Sequence, residues 1–155
     1  VELDKQPLWV ASDEHPTVTQ DDIKLSGHAI ERRINAEDPY TCRPSPGKIS
    51  VYHSAGGPGV RIDSHIYAGY VVPPFYDSLI GKLICHAENR GAALTRTSNA
   101  LTELVIEGID TNIPLHIALV SDAAFRTGGT DIPYLERRLC LSLEQPEASF
   151  KPLFD

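Results

Sequence analysis

Six histidines and one glycine-rich stretch are the first places to look for chemistry in this sequence. A zinc site needs imidazoles clustered with thiolates, carboxylates or each other, so that several ligands meet on one ion. His28, His53, His65 and His86 fall in or beside extended segments, and none forms an HxH or HxxxH pair with a nearby acid. They read as isolated imidazoles satisfied by local hydrogen bonds, and the metal reading is rejected. AGGPGV (55–60) has the glycines of a phosphate cradle, but a cradle requires a helix directly after it, whose first amides point at the anion. The next residues, VRIDSHIY (60–67), are instead strand-like, so the glycines are predicted to form a tight hairpin turn. SDAAF (121–125) and DSLIG (77–81) lack glycine two residues either side of the serine, so a nucleophile elbow has no foothold. That leaves Arg61, just after the glycines, where a side chain can project from a sheet end into a neighbouring cleft. Its guanidinium is permanently charged and presents a planar fork of donors suited to an oxyanion, a carboxylate or a ureido oxygen. From composition alone, a surface or ion-paired arginine remains the better description.

The elements that would hold these residues emerge from length and patterning. A chain of 155 residues with 41% hydrophobic and 23% charged residues is one ordinary globular domain, long enough to bury a core without staples. A net charge of -7 argues against a nucleic-acid groove or an anionic membrane surface as partner. No apolar run approaches the roughly 20 residues that span a bilayer, and VELDKQPLWV has neither the basic start nor the apolar stretch of a signal peptide. The chain opens on valine rather than methionine, as a fragment or a processed product would. Cys42, Cys85 and Cys140 are odd in number and far apart, which excludes a CxxC ribbon or redox motif. Cys85 reads as a small buried hydrophobe, and a reducing cytoplasm suits the set.

Pro7 argues against a helix at residues 3–11, and residues 12–22 read as a polar loop. HAIERRINAE (28–37) places Ile30, Arg32, Ile34 and Ala36 on one side of a strand. Three prolines and a glycine make 38–48 an irregular connection. KISVYH (48–53) is predicted to be a strand whose hairpin partner is 60–67, with Val60, Ile62 and Ile66 on one face. DSLIGKLICHAE (77–88) is predicted to be a strand buried on both sides, with Gly81 marking a close approach. Helices come next: one capped by Asn89 with Leu94, Leu101 and Leu104 at helical intervals, one starting near Thr111 or Asn112 with Pro114 in its first turn, and a short one at 134–139. The tail beyond Ser142 lacks periodicity and is expected to be poorly ordered. Strands first and helices afterwards give an α+β fold: an antiparallel β-sheet followed by short helices.

Taken together and in order, HAIERRINAEDP (28–39), PSPGKI (44–49), GGPGVRIDSHIYAGYVVPPFYDSLIGKLI (56–84), ENRGAAL (88–94), GIDTN (108–112) and GGTDIPYLE (128–136) closely resemble the C-terminal domain of biotin carboxylases. These are the ATP-dependent components of acetyl-CoA carboxylase and its relatives. The likeness covers about residues 1–140, and its wording is most like the bacterial acetyl-CoA carboxylase component of fatty acid biosynthesis. Propionyl-, methylcrotonyl- and pyruvate carboxylases use similar segments, so the acyl acceptor stays open. The resemblance implies three regions: a connection from an ATP-grasp region over 1–22, the domain itself over 23–140, and a tail over 141–155.

The resemblance also implies an activity. ATP activates bicarbonate, and the carboxyl group passes to the ureido nitrogen of biotin borne on a carrier protein, while negative charge develops on the ureido oxygen. The arginine of GVR, here Arg61, is implied to face that oxygen. Tyr76, Asp77 and Lys82, in the YDSxxGK segment, are implied to be buried polar supports that fix the sheet against the ATP-binding part; Arg32 and Asn35 have the same standing. ATP and magnesium would bind upstream of this chain, leaving it inactive alone. The implied partners are the biotin carboxyl carrier protein, the carboxyltransferase subunit, the ATP-grasp region and a second copy of the whole subunit. Two readings from different classes stand here: a portion of an active ligase, or a freestanding non-catalytic scaffold or dimerisation module. Departures from the family pattern include Pro7 within a helix, SDEHP (12–16) in place of a glycine-containing turn, and Cys42 and Arg43 where apolar residues are usual.

Overall fold

A computed structural model describes residues 5–137 of the chain. At its centre, β1 (His28–Asn35), β6 (Leu79–Ala87) and β4 (Val60–Ser64) form an antiparallel sheet in the order β1-β6-β4. Side chains alternate across a pleated strand, so register decides which ones share a face. Ile30 pairs with Cys85 and Ile34 with Gly81 on one side of β6. Val60 pairs with Cys85 and Ile62 with Leu83 on the other. These residues line one face, and Ile34, Leu83 and Cys85 are 2%, 0% and 0% exposed. As anticipated, Ile30, Arg32 and Ile34 share the inward row of β1; Ala36, just past the strand's end, is buried as well at 1% exposure.

The cover on that face is α2 (Arg90–Glu103), which packs on β6 and β1. It starts at Asn89, whose side chain accepts a hydrogen bond from the Ala92 amide at 2.9 Å, so the predicted cap is present. Ala93, Leu94, Thr97, Ala100 and Leu101 are its buried residues, a spacing that keeps one stripe against the sheet. Thr97 does not leave a buried hydroxyl unpaired, because it donates to Ala93 O at 2.7 Å. α3 (Ile113–Ser121) carries Pro114 in its first turn as expected, and α4 (Ala123–Thr127) comes directly after it, capped by Asp122. Asn112 sits at the α3 N-cap position without capping it. Its amide instead accepts from Asn35 N at 2.9 Å and donates to Arg33 O at 3.1 Å, tying α3 to the end of β1.

Several expectations are corrected. Lys5–Ala11 is a helix, α1, despite Pro7, which falls in its first described turn. Residues 48–53 are not one strand. Gly47–Lys48 (β2) pairs with Val71–Val72 (β5), and Val51–His53 (β3) pairs with Val105–Glu107 (β7), with the fully buried Ile49 between β2 and β3. β3 therefore does not form a hairpin with β4, whose partner is β6. A tight turn is present, with Val60 N donating to Gly57 O at 3.1 Å, but it leads into β4 without pairing β3 to it, and Gly59 within it makes a close approach. Gly59 has φ +73°, and a Cβ on it would overlap His86 O and the Arg96 guanidinium. β7 lies between helices, so strands do not all precede them. β6 is buried on one face only, since Lys82 and His86 are exposed, although Gly81 does mark an approach: a Cβ on it would lie 3.3 Å from the Ser64 side chain. The short helix predicted over 134–139 begins at Tyr134, its last two residues lying outside the described region with Cys140 and the tail.

Candidate functional site

The second face of the β1-β6-β4 sheet has no helix over it among the described residues. Register places Arg33, Lys82 and Asp63 in one row across the three strands, and Glu31, Ile84 and Arg61 in the next. Arg33, Lys82, Arg61, Glu31 and Asp63 are all exposed. Three cations and two carboxylates thus share a rigid surface whose backbone is pinned from below by the core.

The two arginines on this face are held differently. Arg61 Nη2 donates to Asp63 Oδ2 at 3.0 Å, two residues along the same strand, and the side chains remain 70% and 51% exposed. Arg33 Nη2 lies 3.5 Å from Asp77 Oδ2, at the outer limit of a hydrogen bond, with side chains 55% and 69% exposed. Asp77 is itself fixed, because its other oxygen accepts from Leu79 N at 2.8 Å and closes the turn entering β6. The guanidinium of Arg33 is therefore the more weakly committed of the two. In water-exposed geometry neither ion pair stabilises the fold appreciably, so either arginine can exchange its partner for an incoming oxygen at little cost.

Arg61 stands on the open face, as a residue projecting from a sheet edge should, though its strand starts from a close approach rather than a hairpin. Asp77 and Lys82 are exposed and Tyr76 is 81% exposed in this chain, which does not contain the ATP-binding part they are expected to support. No described element lies over that face to remove them from solvent. The Asn35 amide donates to Glu37 Oε1 at 3.1 Å, and Ser78 donates to the same oxygen. Arg33 is the member of the face that motif reading misses. Strand alternation carries the signal, since it turns Arg33 outward once Arg32 is placed inward.

A groove of about 460 Å³ runs between Gly56–Pro58 and α2, lined by Thr95, Arg96, Asn99 and Glu103 among others. Its polar groups are engaged locally: Arg96 donates to His86 O, and Glu103 lies 3.7 Å from His53 Nε2 and accepts from Gly56 N at 3.5 Å. Arg61 does not line it. Among the described residues, no group of three or more His, Cys, Asp or Glu side chains is placed to hold a metal ion, and no helix is long and apolar enough to cross a membrane.

Comparison with known proteins gives this arrangement a context. The family profile described as the biotin carboxylase C-terminal domain matches residues 31–137. Biotin carboxylase of Pseudomonas aeruginosa is 54% identical over 139 residues, covering 90% of this chain and 31% of that protein. A pyruvate carboxylase subunit of Methanothermobacter thermautotrophicus is 50% identical over 129 residues, covering 83% of this chain and 26% of its own length. Among solved structures, the biotin carboxylase domain dimer of Hydrogenobacter thermophilus 2-oxoglutarate carboxylase, in complex with MgADP, ADP and bicarbonate, superposes with a TM-score of 0.84 at 37% identity, covering 100% of this chain and 32% of that one. The chain thus spans less than a third of these relatives.

Proposed function

The chain belongs to the biotin carboxylase C-terminal domain family, and from that membership we propose that it serves as the C-terminal portion of a biotin carboxylase whose open sheet face stabilises negative charge on the ureido oxygen of carrier-borne biotin. Biotin supplies the nitrogen that accepts the carboxyl group, and ATP with bicarbonate supplies that group. ATP and magnesium are assigned to the part of the protein outside this chain, because the chain spans less than a third of its biotin carboxylase relatives.

The observation that supports the reading is the pair of arginines on one uncovered, rigid face. A ureido oxygen gains negative charge as the adjacent nitrogen loses its proton. A donor fork already fixed beside it needs no reorganisation to meet that charge, and the interaction strengthens when water is excluded. The GVR resemblance gives this role to Arg61. The geometry favours a second candidate, Arg33, whose 3.5 Å contact with Asp77 yields more readily than the 3.0 Å pair of Arg61 with Asp63. In either case the neighbouring carboxylate aims the fork, and Lys82 adds positive potential between the two arginines.

The test is substitution in the full-length enzyme. Arg61→Ala and Arg33→Ala are made separately, and biotin carboxylation is measured alongside circular dichroism. Loss of the arginine that meets the oxygen lowers kcat by about 100-fold or more and leaves the fold intact. Normal turnover in Arg61→Ala removes that residue from the role, and normal turnover in both variants removes the sheet face from the chemistry.

The physiological setting belongs to the same proposal: a cytoplasmic homodimeric enzyme serving a biotin carboxyl carrier protein and a carboxyltransferase. Acetyl-CoA carboxylase in fatty acid biosynthesis is the assignment preferred from the sequence wording, and the likeness to a pyruvate carboxylase makes pyruvate the competing acceptor.

A further inference from the structure

In the sheet order β1-β6-β4, β1 is an edge strand, so every second residue turns its backbone N–H and C=O away from β6. Near the end of β1 these outward groups are met by residues at the start of α3. Arg33 O accepts from Asn112 Nδ2 at 3.1 Å and from His116 Nε2 at 2.9 Å. Asn35 N donates to Asn112 Oδ1 at 2.9 Å, and Asn35 O accepts from Asn112 N at 3.2 Å. One asparagine thus presents a donor, an acceptor and a donor in the order that a neighbouring strand would. On the other side of β1, the ladder with β6 breaks register between Ile34 and Asn35, just past Arg33. The hold from β6 is interrupted where α3 takes over.

Both anchoring residues are themselves fixed. Asn112 is 7% exposed, and its own carbonyl accepts from His116 N at 3.1 Å. His116 Nε2 faces a carbonyl, so that nitrogen carries the ring proton. Its Nδ1 is buried and, among the described residues, unpartnered. Burial lowers the imidazole pKa to about 4, so near neutral pH the ring is an uncharged donor. A ring nitrogen buried without a partner costs stability, which makes histidine a poor choice for packing alone. What the imidazole adds is a second hydrogen bond to the carbonyl of Arg33.

On the reading in which Arg33 meets the ureido oxygen, we propose that Asn112 and His116 are positioning residues for that arginine. They hold the backbone from which the guanidinium is aimed, while Asp77 meets its tip at 3.5 Å. A fork that stabilises developing charge must stand within about 0.5 Å of its productive place. A small tilt of the strand at residue 33 is magnified at the end of so long a side chain. Asn112 and His116 therefore act through Arg33 and not on the substrate.

The test uses the full-length enzyme with free biotin as substrate. His116→Leu removes one donor at similar bulk, and His116→Gln restores a donor through its amide. Asn112→Asp keeps the acceptor for Asn35 N and loses the donor to Arg33 O. Each change is also made in the Arg33→Ala background, with melting temperatures to establish folding. His116→Leu and Asn112→Asp should each lower kcat for biotin carboxylation by about 10-fold or more, and His116→Gln should recover most of the His116→Leu loss. None of the three should lower the residual rate of Arg33→Ala any further, whereas a side chain that only supports the fold would lower it by the same factor as in the parent. Should Asn112→Asp not fold, the two His116 variants carry the test. The proposal is overturned if the folded variants turn over at the parent rate, or if their losses persist undiminished beside Arg33→Ala. Normal turnover in Arg33→Ala itself removes Arg33 from the chemistry and this proposal with it. A crippled Arg33→Ala beside normal His116 and Asn112 variants removes the anchor alone.

Discussion

Leu83 and Lys82 are adjacent on β6 and face opposite environments. Leu83 is fully buried under α2, whereas Lys82 stands in solvent between Arg33 and Asp63. The same contrast holds along most of the sheet, with Arg32 on the inner face and Ile84 on the outer as exceptions. One face is occupied by Ile30, Ile34, Leu83, Cys85, Val60 and Ile62, and the other by Glu31, Arg33, Lys82, Arg61 and Asp63. The apolar face fixes the backbone, and the charged face, which contributes little to that fixing, is free for the chemistry proposed for it. On that proposal, stability and function are separable.

That separation is open to attack in three ways. The largest effect is expected from Leu83→Ala, which opens a cavity at the centre of the buried face and should cost about 2–5 kcal/mol in denaturant unfolding. Lys82→Ala, one residue away, should leave the unfolding midpoint within experimental scatter. Comparable losses from both would show that the open face is structural after all.

The second attack uses pH. Burial holds His116 at a pKa of about 4, well below its usual 6.5; the adjacent Arg32 charge pushes the same way, while the bond to Arg33 O and the charge of Glu37 oppose it. Because the folded pKa is the lower one, the unfolded chain binds the extra proton between these values. His116 therefore costs nothing above about pH 6.5, and stability is lost as pH falls from there towards 4. The loss should reach about 2 kcal/mol by about pH 5. Unfolding measured from neutral pH down to about pH 5 in the parent and in His116→Gln checks this, the variant showing the shallower acid limb. Equal acid limbs would mean that the imidazole is not buried as described.

The smallest effect concerns the helix that covers the buried face. Asn89→Ala removes the cap of α2 and should cost about 1 kcal/mol, while Asn89→Gly, which restores a good capping backbone, should recover most of it. No loss in Asn89→Ala would mean that the bond from Ala92 N contributes nothing, whereas equal losses in Ala and Gly would place the whole effect in that bond.

Local patterns are legible in the chain where local physics decides. The alternation of 28–36, the cap at Asn89 and Pro114 in the first turn of α3 each depend on neighbours within a few residues, and each can be read directly. Strand pairing depends on residues far apart. No residue near 48–53 signals that β2 and β3 pair with β5 and β7, which lie in distant stretches of chain, so a sequence-adjacent hairpin is the natural and mistaken reading. The glycines of 56–59 mislead for a related reason: Gly59 is required by the approach of His86 and Arg96, two residues remote from it in sequence. The site is half legible. Arg61 is visible through its motif, whereas Arg33 emerges only when the register sets it on the same face. The exposure of Tyr76, Asp77 and Lys82 likewise becomes visible only once the uncovered side of the sheet is known.

The central claim is that this uncovered face meets charge on biotin and does not build the activated carboxyl donor. Those roles separate kinetically in the full-length enzyme, where ATP cleavage dependent on bicarbonate can be followed with biotin omitted. The Arg33→Ala, Arg61→Ala double variant should retain that cleavage near the parent rate while biotin carboxylation falls by about 100-fold or more. Equal loss of both activities, or loss of neither, would contradict the account.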